Sequence, residues 1–152
     1  MERALASDGS YPLVHVFSLS VKPMPNRETV LDFIKRKTAQ FEKEKFLIPM
    51  KDIGRRGKLY FKREAWMFLP QHNLQDKVFV FERLRKVKFT GRISYGSAWK
   101  NGDIEYRIGY FIVGKINGAK GRWVWGQFCP LIPVSDFNKL ISKAKKEGVI
   151  LS

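Results

Sequence analysis

"GRISYGSAWKNGDIEYRIGYFIVGKINGAKGRWVWGQF", residues 91–128, carries two Asn-Gly pairs, at 101–102 and 117–118, each between runs rich in β-branched and aromatic residues. Asn-Gly in that setting is the strongest short-range signal for a β-hairpin, because both residues tolerate the left-handed backbone of a tight turn. Two-residue turns would set the register. Lys100 would pair with Asp103 and Ile116 with Ala119, so that Tyr95 falls opposite Ile108, Ile108 opposite Gln127, Ile93 opposite Tyr110, and Tyr110 opposite Trp125.

Side chains directly opposite one another share a face of the sheet. One face then holds Ile93, Tyr95, Trp99, Ile104, Tyr106, Ile108, Tyr110, Ile112, Trp123 and Trp125. The other is a floor of small residues, Ser94, Gly96, Ala98, Gly109 and Gly126, with Phe111, Val124 and Phe128, and with Arg92, Arg107 and Arg122 around it. Such a floor admits either a close-packed helix or a planar anionic ligand held bidentately by the arginines; the helix is the plainer reading. Trp123 and Trp125, in the company of Ile104, Ile108 and Ile112, read as core. Trp99, beside the turn, is the tryptophan expected to reach a ligand by stacking.

Outward from this module, the strand-like runs continue in "KLYFKR" and "KVFVFERL", the latter taken as one strand and "RKVKFTGRISYGSAW" as the next. "YPLVHVFSLSVK" alternates like a first strand. Asn26 is read as the N-cap of a helix from Arg27 to about Lys45, with Val30, Phe33, Ile34 and Phe41 on its apolar face. "PVSDFNKLISKAKKEGVIL" reads as a closing helix: Ser135 at the cap, Asp136 in the first turn, Lys143, Lys145 and Lys146 near the end, and Gly148 as the stop. Its apolar stripe is Phe137, Leu140, Ile141 and Ala144. The expected architecture is a single α+β domain over residues 11–152 behind a flexible stretch at 1–10. It is a mainly antiparallel sheet of about five strands with an N-terminal and a C-terminal helix packed on it.

Charge points to the class of partner. The chain of 152 residues has 29 Lys+Arg against 14 Asp+Glu, a net charge of +15. Residues 22–63 hold 13 basic and 5 acidic side chains, and residues 77–100 hold 7 and 1. A field of this kind attracts polyanions and gives salt-dependent binding. The leading expectation is a basic nucleic-acid-binding protein, for DNA or RNA. Arg55 and Arg56, between glycines, would fold onto phosphates, and Arg83, Arg85, Lys86, Lys88, Arg92, Arg107 and Arg122 would track a backbone. Contacts of this sort supply affinity and register but do not read bases.

Catalytic patterns are thin. One cysteine, Cys129, and two histidines, His15 and His72, exclude an internal disulfide and a thiolate-rich zinc site. Asp103 and Glu105, with Arg107 next along, are too few for a trusted metal-dependent nuclease. A small basic nuclease and a module binding a small anion or modified base between the arginines stand as alternatives to the non-catalytic reading. No cofactor or metal is expected. The start lacks the basic-then-apolar pattern of a signal peptide, and no run reaches the length of a membrane span, so a cytoplasmic protein is expected.

Overall fold

A computed structural model describes residues 28–52, 54–94, 96–127 and 130–151. The expected strand at 11–22, the cap at Asn26, and residues Tyr95, Phe128 and Cys129 lie outside them. The order of elements is α1 (Val30–Lys43), β1 (Ile48–Lys51), β2 (Lys58–Pro70), β3 (Lys77–Thr90), β4 (Ile104–Val113), β5 (Trp123–Trp125) and α2 (Val134–Lys146). The five strands form one antiparallel sheet in sequence order. This is the α+β domain with two flanking helices that the sequence predicts.

The two helices cover opposite faces of the sheet, as alternate residues of β3 show. Val78 and Val80 pack with Phe68, Phe111 and the α1 residues Phe33 and Phe41. Phe79 and Phe81 pack with Met67 and with Leu140 and Ala144 of α2, beside Val149 just beyond it. Thr29, not Asn26, caps α1, its hydroxyl oxygen accepting from the Asp32 N–H. The expected apolar face of α1 is the one that packs. At α2 the cap is Pro133, and Gly148 ends the helix with φ +67°. Leu140 and Ala144 are fully buried, whereas Phe137 is exposed.

Two predicted hairpins are redrawn. The segment read as two strands, 77–84 and 85–99, is one 14-residue strand that stops at Thr90. Gly91, with φ +70°, turns the chain, and residues 91–94 and 96–100 fold over the end of the sheet, the latter through a 3₁₀ turn at Gly96–Ala98. The turn at 101–102 therefore closes on Lys86: Gly102 N–H donates to Lys86 O, and Lys86 N–H to Asp103 O. At the second turn, Asn117 takes φ 50° and starts a 3₁₀ turn. The loop is longer than two residues, with Gly114 N–H donating to Arg122 O and Gly121 N–H to Gly114 O. Phe111, not Tyr110, pairs with Trp125.

A one-residue slip moves every side chain of a strand to the other face. Trp123 and Trp125 therefore join Phe111 on the α1 side. Trp123 stacks on Phe33 at 4.4 Å between ring centroids, a core tryptophan as expected, while Trp125 meets Phe111 edge-on at 5.0 Å and stays 39 % exposed.

The register between β2 and β3 shifts twice, at Tyr60/Phe61 and at Arg63/Ala65. Such irregularities bend and twist the strands that carry them. Beyond α1, the same face of the sheet carries a second small core of Leu59, Phe61, Leu84 and Ile93, against which Ile48, Met50 and Trp99 pack.

Candidate nucleic-acid interface

The cations of the sheet and its loops divide into three groups. Arg55, Arg56 and Arg92 come together. The β1–β2 loop and the segment after β3 lie side by side because Asp52 holds Ser94: the Ser94 N–H donates to Asp52 at 2.5 Å and its hydroxyl at 2.7 Å. These bonds, with the Arg55 charge nearby, hold the Asp52 carboxyl below its ordinary pKa. Gly57 permits the approach, since a Cβ there would lie 2.5 Å from Ile93 Cγ2 and 2.8 Å from the Arg92 carbonyl carbon. The result is a shallow pocket of about 420 Å³ lined by Gly54, Arg55, Arg56 and Arg92.

A second group is tied into the structure. Arg107 donates through Nε to Glu82 at 2.5 Å, and its guanidinium lies 4.8 Å from the Trp125 ring centroid. Glu82, 0 % exposed at the middle of the sheet, also accepts from Arg63 Nε at 2.8 Å, and Arg63 reaches Glu44. Burying a carboxylate this deeply is tolerated because two guanidiniums and their hydrogen bonds surround it. Arg85 pairs with Glu64 through both Nε and Nη2 and donates through Nη1 to Gly102 O at 2.6 Å. Those bonds lower the Glu64 pKa and raise that of Arg85. Arg83 sits 3.5 Å from Glu64 and donates to Gly148 O. Lys86 lies 2.9 Å from Glu105 and 3.9 Å from Asp103, so the two carboxylates considered for a nuclease converge on a lysine. Among the described residues no group of three His, Cys, Asp or Glu could hold a metal ion.

The arginine-rimmed floor is not built as predicted. Arg92 is in the loop after β3, and Arg122 bends back onto Gly118 O. Gly109 is roofed by the Trp125 ring and Gly126 by the Tyr110 ring, and the register puts the two glycines on opposite faces, so they form no common floor. Trp99 is likewise not a free platform. It packs edge-on against Phe61 and Phe89, with Lys86 Nζ 5.2 Å from its ring centroid, and its Nε1–H donates to Asn101.

The third group is an exposed face of which sequence reasoning named Lys88 and Arg85 but not the lysines of β1 and β2. On the α2 side, the helix covers only the part of the sheet around Met67, Phe79 and Phe81. Toward the other end no described element covers that face, and its rows follow from the pairing: Lys51, Lys58 and Thr90; then Pro49, Tyr60 and Lys88; then Lys62 and Arg85. Lys51, Lys58, Lys62 and Lys88 are exposed. None of them, nor Arg55, Arg56 or Arg92, forms an ion pair with a described residue. Lys88 Nζ lies 5.4 Å from the Tyr60 ring centroid. This face and the Arg55–Arg56–Arg92 pocket adjoin at one end of the sheet, because the β1–β2 loop joins Lys51 to Lys58.

At the far end, the β2–β3 turn docks on α2. Asp136, 1 % exposed, accepts from the His72 N–H at 3.1 Å and lies 2.9 Å from His72 Nδ1. Burial pushes the Asp136 carboxyl up, but the bonds from His72 outweigh it and its pKa is lowered. No helix among the described residues is long and apolar enough to cross a membrane. Comparison of the chain with protein families, curated proteins and solved structures finds no match.

Proposed function

We propose that the protein binds nucleic acid through the end of the sheet where β1, β2 and β3 meet the 52–57 loop. The observation that carries this reading is the clustering of seven cations, Arg55, Arg56, Arg92, Lys51, Lys58, Lys62 and Lys88, none paired with a described carboxylate. Elsewhere the strand arginines have partners: Arg63, Arg83, Arg85 and Arg107 all lie against Glu44, Glu64 or Glu82. Cations without an ion pair gathered at one end of the sheet, in a chain of net charge +15, are the electrostatic footprint expected of a phosphate-binding surface. Each contact to a phosphate would release a condensed counterion, which makes affinity fall steeply with salt.

Titration of a labelled oligonucleotide with the protein at a series of salt concentrations tests this. Binding whose logarithm falls linearly with the logarithm of salt supports it. Binding that is undetectable at low salt, or insensitive to salt, refutes it.

The Arg55–Arg56–Arg92 pocket favours a second reading, a small phosphorylated ligand held by the forked guanidiniums. Stabilisation against heat by a mononucleotide, lost on Arg92→Gln, is its expected result.

A further inference from the structure

We infer that the nucleic acid this face takes is single-stranded, with one base stacked on Tyr60. The inference rests on the reading above and adds the class of strand and the residue that selects it.

The argument starts from the local sequence. In Lys58-Leu59-Tyr60-Phe61-Lys62 the side chains alternate: Leu59 and Phe61 are buried, so Lys58, Tyr60 and Lys62 project together from the opposite face. Lys88 joins Tyr60 from the neighbouring strand, and Lys51 joins Lys58. An aromatic ring is thus bracketed by cations along its own strand and across the sheet. Successive side chains on one face of a strand stand about 6.6–6.8 Å apart. Lys58 and Lys62 therefore flank the ring at a spacing that lets a backbone pass on either side while a base lies over it.

That arrangement discriminates between strand classes. A duplex presents base edges in grooves, and reading them requires an inserted helix or ribbon. It offers no base face to a ring lying on a sheet. An unpaired strand does, and stacking on an aromatic inside a cationic groove is how such strands are held without reading sequence. The tyrosine is well chosen for this: it is half-buried, which fixes the ring, with Pro49 opposite it on the edge strand β1. Trp99, which is larger, is packed between Phe61 and Phe89 and lacks that freedom.

The experiment compares a labelled single-stranded pyrimidine oligonucleotide, as DNA and as RNA, with a hairpin duplex of equal phosphate number, at one fixed low salt concentration. Binding is read by fluorescence anisotropy on the full chain. The wild type is expected to favour the single strand about tenfold. Tyr60→Ile, which keeps strand propensity, is expected to lose about tenfold on the single strand and to leave the duplex unchanged. Tyr60→Phe is expected to retain the wild-type preference, and a circular dichroism melt confirms that each variant is folded. Photo-crosslinking of a halogenated-uracil oligonucleotide to the wild type gives an independent readout, expected at Tyr60. Equal affinity for single strand and duplex, or an equal loss on both in Tyr60→Ile, overturns the inference and leaves the nucleic-acid reading standing. Absence of binding to every probe overturns that reading itself.

Discussion

Replacing Gly109 by alanine tests the sheet register with a sign as well as a size. Glycine within a strand is unfavourable by about 0.5–1 kcal/mol relative to alanine, so on a free surface the substitution stabilises. Here the new methyl would lie 2.5 Å from Trp125 Cζ2, and the indole must yield. If the ring stays, the overpacking costs about 1–3 kcal/mol. If it swings out, it forfeits its edge contact with Phe111 at 5.0 Å, worth about 0.5–1.5 kcal/mol, and its contact with Arg107 at 4.8 Å, worth about 0.5–1 kcal/mol. Either route at least matches the intrinsic gain, and a net loss of up to about 2 kcal/mol is expected. Urea denaturation of wild type, Gly109→Ala, Trp125→Leu and the double variant completes a cycle. In the Trp125→Leu background the same alanine is expected to be neutral or stabilising. Stabilisation by Gly109→Ala with Trp125 in place would show that the indole does not cover Gly109, and the register of β4 with β5 would be wrong.

Further outcomes follow from buried charges and close approaches. Glu82→Ala leaves Arg63 and Arg107 facing each other without their common anion and is expected to cost about 3–5 kcal/mol, a large part of a domain's stability, read by urea denaturation. Asp136 has a folded pKa below its unfolded value, so its contribution is fully present above the ordinary carboxylate range and is lost as pH falls through that range toward the folded pKa. Thermal melts from about pH 7 down to about pH 3 should therefore fall less steeply for Asp136→Asn, which is already weaker at neutral pH. Gly57→Ala drives a methyl into the Arg92 backbone; it is expected to cost about 1–3 kcal/mol and, by parting Arg92 from Arg55 and Arg56, to weaken oligonucleotide binding at low salt in an anisotropy titration.

What sequence reasoning could reach was set by how local each determinant is. The apolar faces of both helices (Phe137 of α2 excepted), the strand character of 77–90 and 104–113, and the stop at Gly148 depend on neighbours a few residues away, and each is found. Composition marks 91–99 as strand, but Asp52 captures Ser94 from 42 residues upstream and folds the segment over the sheet end instead. The Asn117-Gly118 turn was recognisable, yet its length depends on how Gly114 and Gly121 pair, and one residue more exchanged the faces of Trp123 and Trp125. Glu82 lies in "KVFVFERL", where nothing nearby shows that Arg63 and Arg107 from both adjoining strands will enclose it. The Lys58-Tyr60-Lys62 face is different. The alternation of Leu59 and Phe61 with polar neighbours was legible, and the segment was read only as a short strand, without its two faces.

The central claim, that binding lies at the end of the sheet near the 52–57 loop, is tested most directly by removing equal charge at two places. One variant carries Arg55→Gln, Arg56→Gln and Arg92→Gln; the control carries Lys139→Gln, Lys143→Gln and Lys146→Gln on α2, which leaves the same net charge. Single-strand affinity is then measured against salt for both. At about 0.7 in slope per single-strand phosphate, the arginine variant is expected to lose roughly two units of slope, while the α2 variant keeps the wild-type slope. Equal losses from the two variants would mean that net charge alone drives binding, and would contradict the site.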